Sequence, residues 1–166
     1  MTNPLDRRAF FGLLGTGSLA ALALGGREAR ANPFAKHKHP VSMSDAAWKE
    51  RLGPKRYRIL RKAGTEPPFS HAYNELKRKG TYHCAGCDAL LFSSDTKYES
   101  RSGWPAFWAP EGDSVHYARD TSLFMTRTEE HCARCGGHLG HVFDDGPRPT
   151  GKRHCINGLA LKFRPA

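Results

Sequence analysis

The sequence has no hydrophobic run long enough to cross a membrane. Its longest weakly apolar stretch covers about 15 residues, from position 10 to 24, and contains three glycines, whereas a spanning helix needs about 20 apolar residues. Arg7 and Arg8 precede this stretch, and the small-x-small sequence Ala29-Arg30-Ala31 follows it. This order of charged, apolar and small-residue regions is typical of a cleaved leader, and the paired arginines indicate twin-arginine export.

We therefore expect residues 1–31 to be a twin-arginine signal peptide and the mature protein to be periplasmic or otherwise exported by that route. Residues 32–43 combine charge and proline without periodicity, which predicts a flexible lead-in. Residues 44–166 then remain as one domain. Once the leader is removed, we expect no association with a membrane.

The chain also lacks a basic stripe, although its formal net charge is +10. Its lysines and arginines are spread along the sequence, whereas nucleic-acid-binding domains gather them on one face or helix. We therefore interpret the charge as solubilising and expect no nucleic acid partner. We also expect a monomer.

Long periodic helices are missing from the sequence as well. A helix is predicted to begin at Ser44 and to be interrupted at Gly53-Pro54, after which the chain either resumes a helix or turns into a strand. A further short helix is predicted before Gly80. From Thr81 onward, short apolar runs alternate with turn residues, which indicates antiparallel sheets. The sequence thus predicts a mainly β fold with a short helical N-terminal part.

The chain has five cysteines, and an odd number excludes complete internal pairing. Four of them form two CxxC pairs, which is the spacing of a structural tetrahedral Zn²⁺ site: Cys84 with Cys87, and Cys132 with Cys135. We therefore expect one structural Zn²⁺ per chain. Two disulfides are an alternative in an exported protein, but twin-arginine export carries folded proteins and allows zinc to be loaded beforehand.

Two further alternatives concern the same pairs. A redox-active CxxC is a weak interpretation, because no thioredoxin-like βαβ pattern surrounds either pair. His83 and His131 each precede a paired cysteine and could replace one as a ligand, although neither keeps the CxxC geometry.

Cys155 is then the only free thiol, and a lone thiol near histidines is a candidate nucleophile. His138 and His141 lie three residues apart, and Asn157 lies two residues beyond Cys155, on the same side of a strand. An imidazole can activate the thiol, an amide can orient a partner, and Arg153 can stabilise the thiolate. The alternative is that both histidines are ordinary loop residues or zinc ligands.

A dense aromatic turn, GWPAFW, occupies residues 103–108. Such clusters usually pack in a core. They also form apolar walls for a small group such as a methyl beside sulfur, so this turn is a candidate wall of a substrate pocket.

Five motifs, in this order, resemble the B-type methionine sulfoxide reductases: GTEPPF, YHCAGCDALLF, SGWPAF, RTEEHCARCGGHLGHVFDDGP and RHCINGLALKF. The resemblance covers roughly residues 48–165. It implies two antiparallel sheets in a tent-like arrangement with a zinc site. It also implies reduction of the R-epimer of methionine sulfoxide, free or in proteins.

The resemblance also implies roles for individual residues, with the four paired cysteines as metal ligands. The implied catalytic residues are Cys155, His138, His141 and Asn157. The implied substrate-binding residues are Trp104, Phe143 and Arg153. In the implied mechanism the Cys155 thiolate attacks the sulfoxide sulfur and becomes a sulfenic acid. Many family members carry a resolving cysteine two residues before the tryptophan, where this chain has Ser102. Direct reduction by an external thioredoxin-like protein or small thiol is therefore expected.

Two other classes of function compete with this interpretation. A non-catalytic zinc-stapled binding module would use Cys155 only for packing. A cysteine hydrolase would use Cys155 with His141 and Asn157, but the sequence shows no signature of an oxyanion hole.

Overall fold

The computed structural model describes residues 37–122 and 125–166. The leader predicted over residues 1–31 and the first part of the predicted lead-in therefore lie outside the described residues. Within the described ranges, no helix is both long enough and apolar enough to cross a membrane.

Helix α1 spans Asp45–Lys62 and begins at a capping residue. The Ser44 hydroxyl oxygen accepts a hydrogen bond from the Ala47 amide at 3.2 Å, which satisfies an otherwise unpaired amide of the first turn. Gly53 breaks the helical geometry with a φ of 66°, and the helix resumes because proline at the next position suits a first turn. The predicted break is thus confirmed, and the second segment is helix rather than strand. The buried face consists of Trp48, Leu52, Tyr57, Ile59 and Leu60.

The prediction of a short helix before Gly80 is wrong. This region contains only a three-residue 3-10 turn, Ala72–Asn74, and Gly80 begins a strand that pairs with Pro165. A Cβ at Gly80 would lie 2.1 Å from the Arg164 carbonyl oxygen, so only glycine permits this close pairing. Pairing with the C-terminal strand therefore overrides the local preference for helix.

The described part of the chain contains nine strands, and all of their pairings are antiparallel. They are β1 Gly80–Cys84, β2 Leu90–Ser93, β3 Lys97–Tyr98, β4 Ala106–Phe107, β5 Val115–Asp120, β6 Arg127–Cys132, β7 His138–Phe143, β8 Arg153–Ile156 and β9 Leu161–Pro165. Strand β1 lies between β2 and β9 in a small sheet, and the large sheet has the order β3-β4-β8-β7-β6-β5. The expected mainly β fold with two antiparallel sheets is confirmed.

Aromatic side chains join the two sheets in the core. The Phe92 ring of the small sheet stacks on Phe107 of the large sheet at 4.4 Å, and Tyr82 meets the same ring edge-on at 5.0 Å. All three side chains are fully buried. Burying such a ring contributes roughly 1.5–3 kcal/mol, so these contacts fix strand β4, which neighbours β8, against the small sheet.

The register of the large sheet aligns the candidate site. Cys155 pairs with Ala106 on one side and with His141 on the other, and His141 pairs with Glu129. Direct cross-strand partners lie on the same face of a sheet, with Cβ atoms about 4.5–5.5 Å apart. A Cβ at Gly140 would lie 2.0 Å from the Cys155 carbonyl oxygen, so glycine beside His141 allows β7 and β8 to approach.

Residues 37–43, the described part of the predicted lead-in, lie against the second CxxC turn. The Val41 amide donates to the Arg134 carbonyl at 3.0 Å, and His39 Nδ1 lies 3.0 Å from the Ala133 carbonyl oxygen. The His39 ring also covers Gly136, where a Cβ would lie 2.5 Å from it. The free carbonyl groups of the turn thus supply acceptors that anchor this segment.

Candidate metal centre and active site

The four paired cysteines meet through two similar turns at strand ends. Cys84 ends β1 and Cys132 ends β6. In each turn an amide bonds back to the first cysteine, Asp88 to the Cys84 carbonyl and Gly136 to the Cys132 carbonyl, both at 2.8 Å. Asp88 and Gly136 each have a φ of 65°. This left-handed geometry closes both turns in the same way.

The four sulfur atoms lie at distances that suit one tetrahedral metal ion. All are within 4.8 Å of one another, with 3.7 Å between Cys84 and Cys135 and 3.5 Å between Cys87 and Cys132. Thiolates about 2.3 Å from a tetrahedral metal lie about 3.8 Å apart, close to these values. All four are buried and unpaired in the structure, which favours a metal site over two disulfides. The cluster is therefore a possible metal site.

Neither neighbouring histidine joins this cluster. The two ring nitrogens of His83 lie 2.9 Å from Thr81 Oγ1 and 3.1 Å from the Asp88 carbonyl oxygen. His131 Nε2 lies 3.1 Å from Glu129 Oε1. Both imidazoles thus have other partners, and the donor set consists of the four thiols.

Cys155 opens into a separate cavity of about 110 Å³ on the large sheet. Five of the residues predicted for the site line it, whereas His138 and Arg153 do not. The complete lining is Thr65, Trp104, Arg127, Gly140, His141, Phe143, Cys155 and Asn157. The structure therefore joins the lone thiol, one histidine and two aromatic rings in a small space.

The Cys155 thiol is held in its neutral form. Burial raises the pKa of Cys155, and a hydrogen bond with Ser102 and the charge of Arg153 oppose this effect only in part. The Ser102 hydroxyl lies 3.7 Å from the Cys155 sulfur, and the Ser100 hydroxyl lies 2.8 Å from that of Ser102. A reaction through the thiolate of Cys155 would therefore require a base at neutral pH.

Arg153 is fixed beside Cys155 by two interactions. Its Nε and Nη2 atoms each donate to the Asp145 carboxylate at 2.8 Å, a bidentate geometry with strong orientation. Its guanidinium carbon also lies 4.4 Å from the centre of the Phe143 ring. Arg153 thus supports the Phe143 wall of the cavity and acts on the thiol through its charge.

His141 is oriented by an acidic partner. Its Nε2 lies 2.8 Å from Asp120 Oδ2, and Arg127 donates to the same oxygen at 2.6 Å. Burial lowers the pKa of His141, although Asp120 opposes this shift. Hydrogen bonds from Ser122, and then from His141 and Arg127, lower the pKa of Asp120. At neutral pH the pair is therefore a neutral imidazole on a carboxylate, with Nδ1 left for proton transfer.

His138 lies outside the cavity. Its Nδ1 is 2.6 Å from Glu129 Oε1, and its ring meets His141 edge-on at 5.6 Å between centroids. Its Nε2 is buried and has no hydrogen-bond partner among the described residues. His138 is thus neither an exposed loop residue nor a ligand of the cysteine cluster.

Asn157 lines the cavity, but both ends of its amide are engaged. Its Nδ2 donates to the Leu139 carbonyl at 2.9 Å, and its Oδ1 accepts from the Glu66 amide at 3.0 Å. These bonds tie strand β7 to the loop after α1. The structure therefore gives Asn157 a positioning role.

Glu66 holds the part of the cavity wall that contains Trp104, although its place in the site is not predicted by the sequence. Its carbonyl oxygen accepts from Trp104 Nε1 at 3.1 Å. Its buried carboxylate accepts from the Gly158 amide at 2.5 Å and the Leu159 amide at 3.0 Å. Trp104 and the turn after Asn157 are thus held by one residue. A glutamate before two prolines is the only sequence signal for this role.

Comparison with known proteins assigns the chain to a family. Residues 52–165 match the family model of the SelR domain. The chain is 58% identical over 127 residues to the peptide methionine sulfoxide reductase MsrB of Leptospira interrogans serogroup Icterohaemorrhagiae serovar Lai, covering 76% of this chain and 97% of that protein. It is 54% identical over 128 residues to MsrB of Thioalkalivibrio sulfidiphilus, covering 76% and 93%. The chain therefore belongs to the SelR family.

A plant relative shows the same similarity. The chain is 50% identical over 130 residues to the chloroplastic peptide methionine sulfoxide reductase B1 of Oryza sativa subsp. japonica, covering 78% of this chain and 61% of that protein. These relatives favour the reductase interpretation over the binding-module and hydrolase alternatives.

We expect Arg153→Leu to raise the pH at which Cys155 becomes reactive. The variant removes a charge that opposes the effect of burial on the thiol pKa, so the thiolate forms only at higher pH. The rate of iodoacetamide alkylation at Cys155, followed by mass spectrometry across pH, measures this shift. Arg153→Lys keeps the charge and should shift the profile less. An unchanged profile in the leucine variant would contradict the role of Arg153.

Proposed function

We propose that this chain is a peptide-methionine (R)-S-oxide reductase, which reduces the R-epimer of methionine sulfoxide, free or in proteins, to methionine. The observation that carries the proposal is the thiol of Cys155, which lies outside the four-cysteine cluster and opens between Trp104 and Phe143 beside His141. A cavity of about 110 Å³ suits a methyl sulfoxide end group. Membership of the SelR family supports the same activity.

The reaction transfers the sulfoxide oxygen to Cys155. The thiolate attacks the electrophilic sulfur, and the sulfoxide oxygen takes up the proton that the thiol released. Methionine leaves as the hydroxyl passes to the cysteine, which becomes a sulfenic acid. Substrate sulfur is reduced by two electrons, and Cys155 sulfur is oxidised by two.

His141 carries the proton in this scheme. Because it is neutral, its Nδ1 can accept the thiol proton and then return it to the sulfoxide oxygen. The Asp120 carboxylate, 2.8 Å from Nε2, stabilises the imidazolium that forms between the two steps. Arg127 holds Asp120 in place on the neighbouring strand.

Cys155→Ser should abolish reduction while leaving fold and metal content intact. His141→Ala should slow the reaction by ~10²–10⁴-fold, because another proton carrier must replace the imidazole. The assay uses purified mature protein with dithiothreitol and each epimer of methionine sulfoxide separately. Appreciable turnover by the serine variant, or equal turnover of both epimers by the wild type, would overturn the proposal.

We further propose that the four-cysteine cluster holds one structural Zn²⁺. The spacing of its sulfurs fits this ion, and the ligand set is closed, with no place for substrate. Bound zinc supplies folding free energy to a small domain. Its cysteines are then unavailable for redox chemistry.

Cys84→Ser should therefore lose the metal and much of its thermal stability, whereas Cys155→Ser should keep both. The serine hydroxyl is a poor replacement for a thiolate ligand, and it leaves the two sheets without their metal link. Metal content by mass spectrometry and Tm by calorimetry measure these effects. A metal-free Cys84→Ser protein with the Tm of the wild type would exclude a structural role.

We also propose that the sulfenic acid is reduced by an external thioredoxin-like protein or small thiol. The Ser102 hydroxyl lies 3.7 Å from the Cys155 sulfur, and the other four thiols belong to the buried cluster. Two external thiols then return Cys155 to its reduced form and yield a disulfide and water. No internal disulfide is required.

Ser102→Cys should install an internal disulfide step, because the Ser102 hydroxyl lies 3.7 Å from the Cys155 sulfur. After one turnover without reductant, the wild type should gain one oxygen that dimedone traps. The variant should instead lose two hydrogens and resist peroxide inactivation better. Ser100→Cys is the matched control in the same turn and should behave as the wild type. A Ser102→Cys protein that forms no disulfide would contradict this placement.

Export by the twin-arginine route remains our proposal for residues 1–31, supported by Arg7-Arg8, the apolar segment and the small-residue site. The mature protein should appear in the periplasmic fraction as a monomer, and Arg7→Lys with Arg8→Lys should retain it in the cytoplasm. Export of that double variant at the wild-type level would argue against the route.

A further inference from the structure

A second group of potential metal ligands lies next to the active site. Among the described residues, one ligand atom from each of Glu129, His131 and His138 lies within 4.8 Å of the other two. His138 Nδ1 is 2.6 Å and His131 Nε2 is 3.1 Å from the same Glu129 oxygen. This group is separate from the four-cysteine cluster and shares no residue with the lining of the Cys155 cavity.

The strands of the large sheet build this group. Glu129 and His131 are two residues apart on β6 and therefore lie on the same face. The pairing of β6 with β7 shifts between Glu130 and His131, so that His131 pairs with His138. Irregular pairing of this kind re-aims side chains. The three ligands thus come from paired strands rather than from mobile loops.

The burial of the group suits an ion that enters from one side. The side chain of His138 is 4% exposed, Glu129 17% and His131 23%, so His131 forms the open edge. His138 Nε2 is buried without a partner in the described part of the chain. The nitrogen that His138 presents to Glu129 is therefore Nδ1, and Nε2 lies on the other side of the ring.

We propose that Glu129, His131 and His138 form a second cation site, which binds a first-row divalent ion such as Zn²⁺ or Ni²⁺. Two imidazoles and one carboxylate favour these ions over Mg²⁺ and Ca²⁺, which prefer oxygen ligands. The ion takes the place of the direct contacts between the two imidazoles and Glu129. Remaining coordination positions are filled by water through the open edge at His131.

Binding of Ni²⁺ to tag-free mature protein that already carries its first metal tests this site. Isothermal titration calorimetry should show one Ni²⁺ bound per chain in addition to the first metal, which is the second metal equivalent. Mg²⁺ at the same concentration should show no binding. His131→Gln should weaken Ni²⁺ binding at least tenfold. His83→Gln is the matched control, because His83 precedes the first cysteine of the other CxxC turn, and it should bind Ni²⁺ as the wild type does.

A second variant separates ligand loss from damage to the fold. His131→Glu replaces the imidazole with an anionic carboxylate, a stronger metal ligand than the neutral amide of glutamine, so it should bind Ni²⁺ more tightly than His131→Gln. With Co²⁺, the second equivalent should add weak visible bands without the near-ultraviolet band of thiolate ligation. That ultraviolet band, or equal affinity in His131→Gln and wild type, would overturn the proposal.

The histidines near the anchored lead-in are the competing location. His37 stacks on His116 with 3.5 Å between ring centroids, and His39 lies 5.9 Å from the same ring. The double variant His37→Gln with His39→Gln should keep the second equivalent. Its loss in this variant would place the ion at that surface and refute the assignment to Glu129, His131 and His138.

Discussion

The approach of the two CxxC turns is the contact on which the rest of the structure depends. Cys84 ends a strand of the small sheet and Cys132 ends a strand of the large sheet, so the four sulfurs link both sheets at one end. Helix α1 is fastened to the same place. Arg51 Nε donates to a carbonyl of the first turn at 2.7 Å, and Arg61 Nη1 donates to a carbonyl of the second at 3.0 Å. One small region thus fixes the helix and both sheets relative to one another.

The active site follows from this frame through strand register. Strand β7 leaves the second CxxC turn and carries His141 to a position opposite Cys155. A slip of one residue would turn Cys155 to the other face of the sheet. Small residues on both sides, Ala106 as the other cross-strand partner and Gly140 beside His141, leave room for the thiol and a substrate. The relative positions of Cys155 and His141 are therefore set by the register of the large sheet.

The electrostatics of the site suit a nucleophile that is activated only when needed. Burial holds Cys155 as a thiol, and the neighbouring His141 is neutral and oriented by Asp120. A neutral thiol reacts more slowly with oxidants than a thiolate does, and the histidine keeps a base within the cavity. A hydroxyl and not a thiol, that of Ser102, lies beside the sulfur at 3.7 Å, which is why we propose regeneration by an external thiol.

The sequence by itself determined the features that follow from local sequence patterns. These are the two CxxC pairs, the lone Cys155, the break at Gly53 and the mainly β fold, because each depends on residues close together in the chain. Only the tertiary structure decided which acidic side chains pair with the histidines near Cys155. Asp120 and Glu129 resemble any surface carboxylate in the sequence, and they acquire histidine partners solely through the register of β5, β6 and β7. The helix expected before Gly80 is lost for the same reason, since pairing with a strand more than 80 residues away (Gly80 with Pro165) outweighs a weak local preference.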